Sequence, residues 1–319
     1  MNQKFVIYLG LAFIAAVWGV NFGLARWAMD VFAPELFVFL RFGLTVPLIF
    51  LFLRWKEGSV GIALRDLWKL ALYGFIGVTI LEIAVMYSVK YTTIANASLL
   101  NVAPWPIFTA LLAPLFTKEK VTRVLAIGGV LAVAGVTFII VGGKEGFSFS
   151  SQYMWGNMIA IGISLLGAVY NLSYMSLMEK YSPLRVTAWI TLFGVIFLLP
   201  FTWGTWSSVK WTELDVSVWA VLFYNVFFCT FLAFIIWNIG MKRIGASRAN
   251  FYRYVVPASA AVTGYLMFGE TVTLWQLLGV SLIAAGLLGI TLERQPKEEG
   301  IPSKPAVIAS MPKSVPKKS

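Results

Sequence analysis

Ten apolar runs, each about twenty residues long and bounded by charge, Pro or Gly, take up nearly the whole chain. They fall at about 6–25, 34–53, 69–89, 95–116 and 123–142, then at about 155–176, 184–202, 216–239, 246–268 and 274–292. A helix of about 20 apolar residues crosses the hydrocarbon core of a bilayer, and a helix satisfies its own backbone there. Each run therefore predicts a membrane-crossing helix, and the expected fold class is an all-α polytopic membrane protein with ten transmembrane helices. Composition agrees: 59% of the 319 residues are hydrophobic and 12% are charged, more apolar surface than a soluble domain can hide. That excludes a soluble enzyme, a nucleic-acid-binding domain and a disordered chain. Only Lys4 precedes the first run, so residues 1–25 read as a true span rather than a signal peptide.

The basic residues choose the orientation. With the first run entering from the cytoplasm, 19 of the 25 Lys and Arg fall on the cytoplasmic side and four outside, while Arg41 and Arg253 lie within runs. Positive residues gather on the cytoplasmic side of membrane proteins, so both termini are expected there, in a bacterial-type plasma (inner) membrane. The net charge of +11 then reports orientation and attraction to an anionic leaflet of the lipid bilayer, with no nucleic acid involved. Beyond Arg294 a Pro/Ser/Lys mixture ends in PKSVPKKS, so residues 294–319 are expected to be a disordered basic tail. The chain has no His and one Cys, Cys229. Ser-His triads, His-ligated metals and a disulfide framework are thereby excluded, and no catalytic residue, metal or cofactor is expected.

Sliding the sequence on itself by 151 residues aligns Ala95 with Ala246, Pro106 with Pro257, Glu119 with Glu270, Thr122 with Thr273, Gly128 with Gly279 and Gly135 with Gly286. At neighbouring offsets Asn21 meets Asn171 and Pro34 meets Pro183. The register divides the chain into repeats at 1–145 and 153–293 with five spans each. An odd number means that the second enters the membrane in the opposite sense. Inverted repeats of this kind build secondary transporters, with substrate near the bilayer midplane between them. The paired glycines lie two helical turns apart, a small-residue stripe for close packing within one chain or between two. A monomer and a homodimer both fit.

The WGVNF stretch at Trp18–Phe22, LRF at Leu40–Phe42, and both halves built as Pro-span, Glu, Thr, Gly-span resemble the EamA-type transporters of the drug/metabolite transporter superfamily. The resemblance covers roughly residues 5–293. It implies a ten-helix, two-repeat carrier, commonly an exporter of amino acids or other small metabolites. Where the first repeat has WGVNF the second reads AVYNL, which suits unequal roles for the two.

Ionisable groups inside spans face protein or water-filled cavities, so the charged exceptions are candidate transport residues. Glu82 reads as a carboxylate that exchanges protons or meets a substrate amine, with an ion pair to Arg41 or Arg253 as the structural alternative. Arg253 suits a fork on a substrate carboxylate, with snorkelling to the cytoplasmic interface as its rival. Arg41 reads as packing or gating. At helical spacing Thr79, Glu82 and Met86 share one face, as do Ser98, Asn101 and Trp105. If these faces meet, they make a site for a small zwitterion with an apolar side chain. Tyr170, Tyr224 and Tyr252 are candidate aromatic walls, and most of the 13 Trp are expected in interfacial belts. Asn21, Asn101, Asn171, Asn225 and Asn238 suit hydrogen bonds between helices. Pro106 and Pro257 are expected to bend their helices.

The expected function is secondary-active export of small metabolites such as amino acids by alternating access, with protons as candidate coupling ions. No GxxxxGK[ST] loop for ATP is present. Drugs, nucleobases, sugars and organic acids are alternative cargoes. A lipid-processing membrane enzyme and a non-transporting scaffold or sensor are alternative classes. The lone intramembrane Glu82 argues against the enzyme.

Overall fold

The computed structural model describes residues 3–92, 94–102, 104–117, 121–141, 153–268 and 273–293. Glu119 and Glu270 of the repeat register, Lys144, and the tail from 294 lie outside them. All regular structure among the described residues is helical. The first half holds α1 (Gln3–Ala28), α2 (Pro34–Glu57), α3 (Leu64–Gly74), a π-helical stretch π1 (Phe75–Ile80), α4 (Leu81–Tyr91), α5 (Ile94–Val102), α6 (Pro104–Phe116) and α7 (Arg123–Val141). The second holds α8 (Met154–Ser173), α9 (Met175–Lys180), α10 (Pro183–Thr202), α11 (Val216–Tyr224), π2 (Asn225–Leu232), α12 (Ala233–Ile244), α13 (Ala246–Phe251), a 3₁₀ turn (Tyr252–Tyr254), α14 (Val255–Phe268) and α15 (Leu274–Leu292).

Local chemistry sets the ends. Pro34 and Pro183 open α2 and α10, where the missing N–H costs nothing. The Asp215 carboxylate accepts the Ser217 N–H at 2.8 Å to cap α11. That backbone bond holds the Asp215 carboxyl below its ordinary range. Gly58, at φ 68°, stops α2 in the left-handed conformation.

Among the described residues six helices are long and apolar enough to cross a membrane: 5–28, 34–57, 64–91, 154–180, 183–202 and 216–244. Shorter apolar helical stretches among the described residues fall within 100–116 (α5 and α6), 123–138 and 277–292. Leu51, Leu111 and Val130 leave about two-thirds of their surface open, as side chains facing lipid do. This is a multi-pass membrane protein. The expected run 246–268 is not one helix: the 3₁₀ turn divides it just before Pro257, which has no N–H to return to the Arg253 carbonyl. Pro106 and Pro257 are each the third residue of their helices, α6 and α14.

Packing interleaves the halves. α1 lies along α14, α6 along α8, α2 against π2, and α10 against π1. α7 and α15 meet through the glycine stripes. A Cβ on Gly128 would fall 2.8 Å from the Gly286 carbonyl oxygen, and one on Gly135 would fall 2.5 Å from that of Gly279. The stripes therefore pack on each other within the chain. The two π stretches begin 150 residues apart, the spacing that also pairs Asn21 with Asn171. They are not foreseen by the sequence pattern, and both lie beside the cavity described next.

Candidate functional site

Residues of α1, α2, π1, α4, α5, α6, α8, α10, α12, the 3₁₀ turn and α14 line a cavity between the two halves. About 150 Å³ of it admits the centre of a water molecule. At about 10–15 Å³ of such volume per water, the space holds about a dozen waters or a solute of amino-acid size. The charged side chains in its walls are Arg41, Glu82 and Arg253.

Arg41 sits in the second turn of α2 and is buried, with 5% of its side chain exposed against 18% for Glu82. One terminal nitrogen donates to Glu82 Oε2 at 3.0 Å. Its Nε donates to Thr230 Oγ1 at 2.6 Å, and Nη2 to the Cys229 carbonyl at 3.2 Å. The last two acceptors belong to π2. A π-helical insertion misaligns the regular i→i−4 ladder and releases carbonyls for other donors. Here the Cys229 carbonyl takes Arg41 and the Trp18 indole (3.0 Å), and the Val226 carbonyl takes Thr45 Oγ1 (3.2 Å). Arg41 thus ties α2 and α4 of the first half to π2 of the second.

Arg253 is held differently. Its guanidinium carbon lies 3.8 Å from the ring centroid of Trp105 and 5.2 Å from those of Trp18 and Trp237. Its Nε donates to Asn250 Oδ1 at 3.1 Å. Asn250 is itself fixed by donating to the Ala246 carbonyl and accepting from Asn171. Arg253 forms no ion pair among the described residues. It stacks inside the protein and does not snorkel. A guanidinium over an indole face gains about 1–2 kcal/mol when desolvated, which stabilises the charge without neutralising it.

Neutral polar groups complete the walls. Tyr174 donates to Asn238 Oδ1 at 2.8 Å, and Asn238 donates to Thr187 Oγ1 at 2.6 Å, joining α8, α12 and α10. Asn101 donates to Ser88 Oγ at 3.0 Å. The indole N–H groups of Trp105 and Trp237 and the amide oxygens of Asn21 and Asn101 are buried without a hydrogen-bond partner among the described residues.

Of the residues singled out in the sequence, Asn21, Arg41, Glu82, Met86, Asn101, Trp105, Tyr170, Asn171, Asn238 and Arg253 line this cavity. Thr79, Ser98, Tyr224 and Tyr252 do not. Thr79 lies in π1, whose wider turn breaks the helical spacing that placed it beside Glu82, and its hydroxyl donates to the Gly194 carbonyl on α10 at 3.0 Å. Ser98 is buried away from the lining. Tyr224 donates to the Val17 carbonyl at 2.9 Å. Tyr252 stacks on Tyr8 and shares a hydrogen bond with Thr291. Sequence reasoning missed Trp18 and Trp237, which belong to the interior and not to an interfacial belt. Trp18 carried a signal, since Asn21 follows it on the same helical face.

The model of the EamA-like transporter family matches residues 6–141 and again 154–292. An uncharacterized transporter, YetK, of Bacillus subtilis is 26% identical over 304 residues, covering 95% of this chain and 92% of that protein. A probable terminal-alkyne amino-acid exporter of Streptantibioticus cattleyicolor is 25% identical over 224 residues, covering 70% and 73%. A solved crystal structure shares the fold at TM-score 0.74 and 18% identity, over 88% of this chain and 95% of the other.

Proposed function

Because the chain belongs to the EamA-like transporter family, we propose that it is a secondary-active carrier exporting small metabolites such as amino acids by alternating access. Its six long helices, three shorter apolar ones and the broken α13–α14 are read as ten crossings. They form two inverted repeats, 1–145 and 153–293, and the basic tail and both termini lie in the cytoplasm of a bacterial-type cell. The paired π stretches and the reciprocal packing of α2 on π2 and α10 on π1 support two structurally related halves. The amino-acid class is supported by the name of one relative and by the size of the cavity.

The observation that carries this reading is the cavity between the halves, with charged groups on elements of both. In it Arg41 and Glu82 act as a latch. Arg41, oriented by Glu82, bonds Thr230 and the Cys229 carbonyl of π2 and so holds the halves together in this conformation, and rocking would have to release those bonds. Arg253 is the cargo-facing cation.

The test is exchange of labelled solutes by the purified protein in proteoliposomes. Saturable, trans-stimulated counterflow of one or more members of an amino-acid and organic-acid panel is expected. Exchange no faster than in protein-free vesicles for every member would contradict it. Glu82→Gln should lower turnover with little change in KM, and an unchanged rate would sink the latch. Orientation is checked in a Cys229→Ala background by placing single cysteines near residues 60 and 206 and labelling intact cells with an impermeant maleimide. Labelling near 206 alone is expected.

A further inference from the structure

The charge pattern of the cavity narrows the cargo. Two guanidiniums and one carboxylate stand in its walls, and the carboxylate is already engaged: Glu82 Oε2 accepts from Arg41 at 3.0 Å. The remaining charge is that of Arg253, with indole faces around it and no acid within ion-pair distance among the described residues. An unmatched charge in a low-dielectric interior is costly, and removing one partner of a buried pair costs more than never having had the pair. The ligand that completes this site therefore carries one negative charge.

A second observation points the same way. Beyond the Nε bond to Asn250, Arg253 makes no hydrogen bond among the described residues, leaving its terminal N–H groups as donors. The indole N–H groups of Trp105 and Trp237 are buried donors without acceptors, at 7% and 3% exposure. Buried donors without acceptors are rare in folded proteins. A carboxylate is acceptor-only, with lone pairs for several donors, and fits a guanidinium in a fork. An ammonium, in contrast, finds no carboxylate in these walls that is not already ion-paired, since the charge of Glu82 is shared with Arg41. It has only the free amide oxygens of Asn21 and Asn101, which are neutral.

We infer that the preferred cargo is a small organic monoanion: a carboxylate on an apolar or aromatic body, without the α-ammonium of an amino acid. This rests on the carrier reading above and reorders its cargo classes. Phe22, Tyr170 and Phe234 supply apolar and aromatic surface for the body of such an acid.

Counterflow in proteoliposomes at neutral pH tests it with two labelled probes of the same ring and length, phenylpyruvate and phenylalanine. Phenylpyruvate is expected to exchange with a kcat/KM about tenfold or more above phenylalanine, the size of effect an unmatched polar group gives. 3-Phenylpropanamide, neutral and of similar shape, should compete poorly with it. Arg253→Gln should abolish the preference. Arg253→Lys keeps the charge without the fork and should retain part of it, and monodispersity on gel filtration separates loss of site from loss of fold. Equal or faster exchange of phenylalanine by the wild-type protein overturns the inference and leaves the carrier reading standing. If neither probe nor any member of the wider panel exchanges above protein-free vesicles, both readings fall.

Discussion

Arg41, on α2, is enclosed by acceptors: Glu82 Oε2, Thr230 Oγ1 and the Cys229 carbonyl all lie within 3.2 Å of its nitrogens. Arg253, at the turn between α13 and α14, is enclosed by ring faces, with a single amide oxygen at 3.1 Å and no ion pair among the described residues. Both cations line one cavity, and the surroundings separate what each can do. A guanidinium held by three acceptors is fixed and joins the parts that supply them. One supported by aromatic faces is held with its terminal N–H groups unbonded among the described residues. The contrast begins in the backbone, because π2 frees carbonyls for Arg41 while the 3₁₀ turn at Tyr252–Tyr254 carries Arg253 among the indoles.

The contrast can be broken from either side. Arg253→Gln should have the largest effect on transport, lowering kcat/KM about a hundredfold or more with the fold intact, equivalent to about 3 kcal/mol. A change within about twofold would make Arg253 no more than packing. At the other pole Glu82→Gln leaves Arg41 without its acid and should destabilise the protein by about 3 kcal/mol in mixed-micelle unfolding. Replacing both, as in Arg41→Met with Glu82→Leu, should cost less. Equal losses would mean the two residues do not act as a unit. Thr230→Val removes one acceptor of a charged donor and should cost about 2 kcal/mol of stability with ligand affinity unchanged. Trp105→Leu should do the reverse, weakening ligand affinity about fivefold through loss of the closest cation–π contact. Smallest of all, Cys229→Ala should leave transport within about twofold, because Arg41 and Trp18 use the backbone carbonyl and not the thiol.

Much of this fold was legible in the sequence because lipid imposes a simple rule: apolar residues for about 20 positions, then charge or turn residues. The glycine register also read through, since only Gly lets α7 and α15 approach with Gly128 against the Gly286 carbonyl. The site was legible in part. Glu82 and Arg253 stood out because charge is rare in spans, and Asn101 with Trp105 shared a face as 3.6-residue spacing requires. Thr79 was misplaced for the converse reason: π1 changes that spacing, and nothing in FIGVTI announces a π turn. Trp18 and Trp237 were hidden by a preference that holds for indoles in general. Their interior role follows from a long-range contact with Arg253, more than 200 residues from Trp18.

The division of labour between the two arginines is tested most directly by calorimetric titration of the purified chain in detergent with phenylpyruvate. The account predicts saturable binding to the wild-type protein, binding at least as tight to Glu82→Gln, where Arg41 adds an unpaired charge, and none to Arg253→Gln. Wild-type affinity in Arg253→Gln together with lost binding in Glu82→Gln would contradict it.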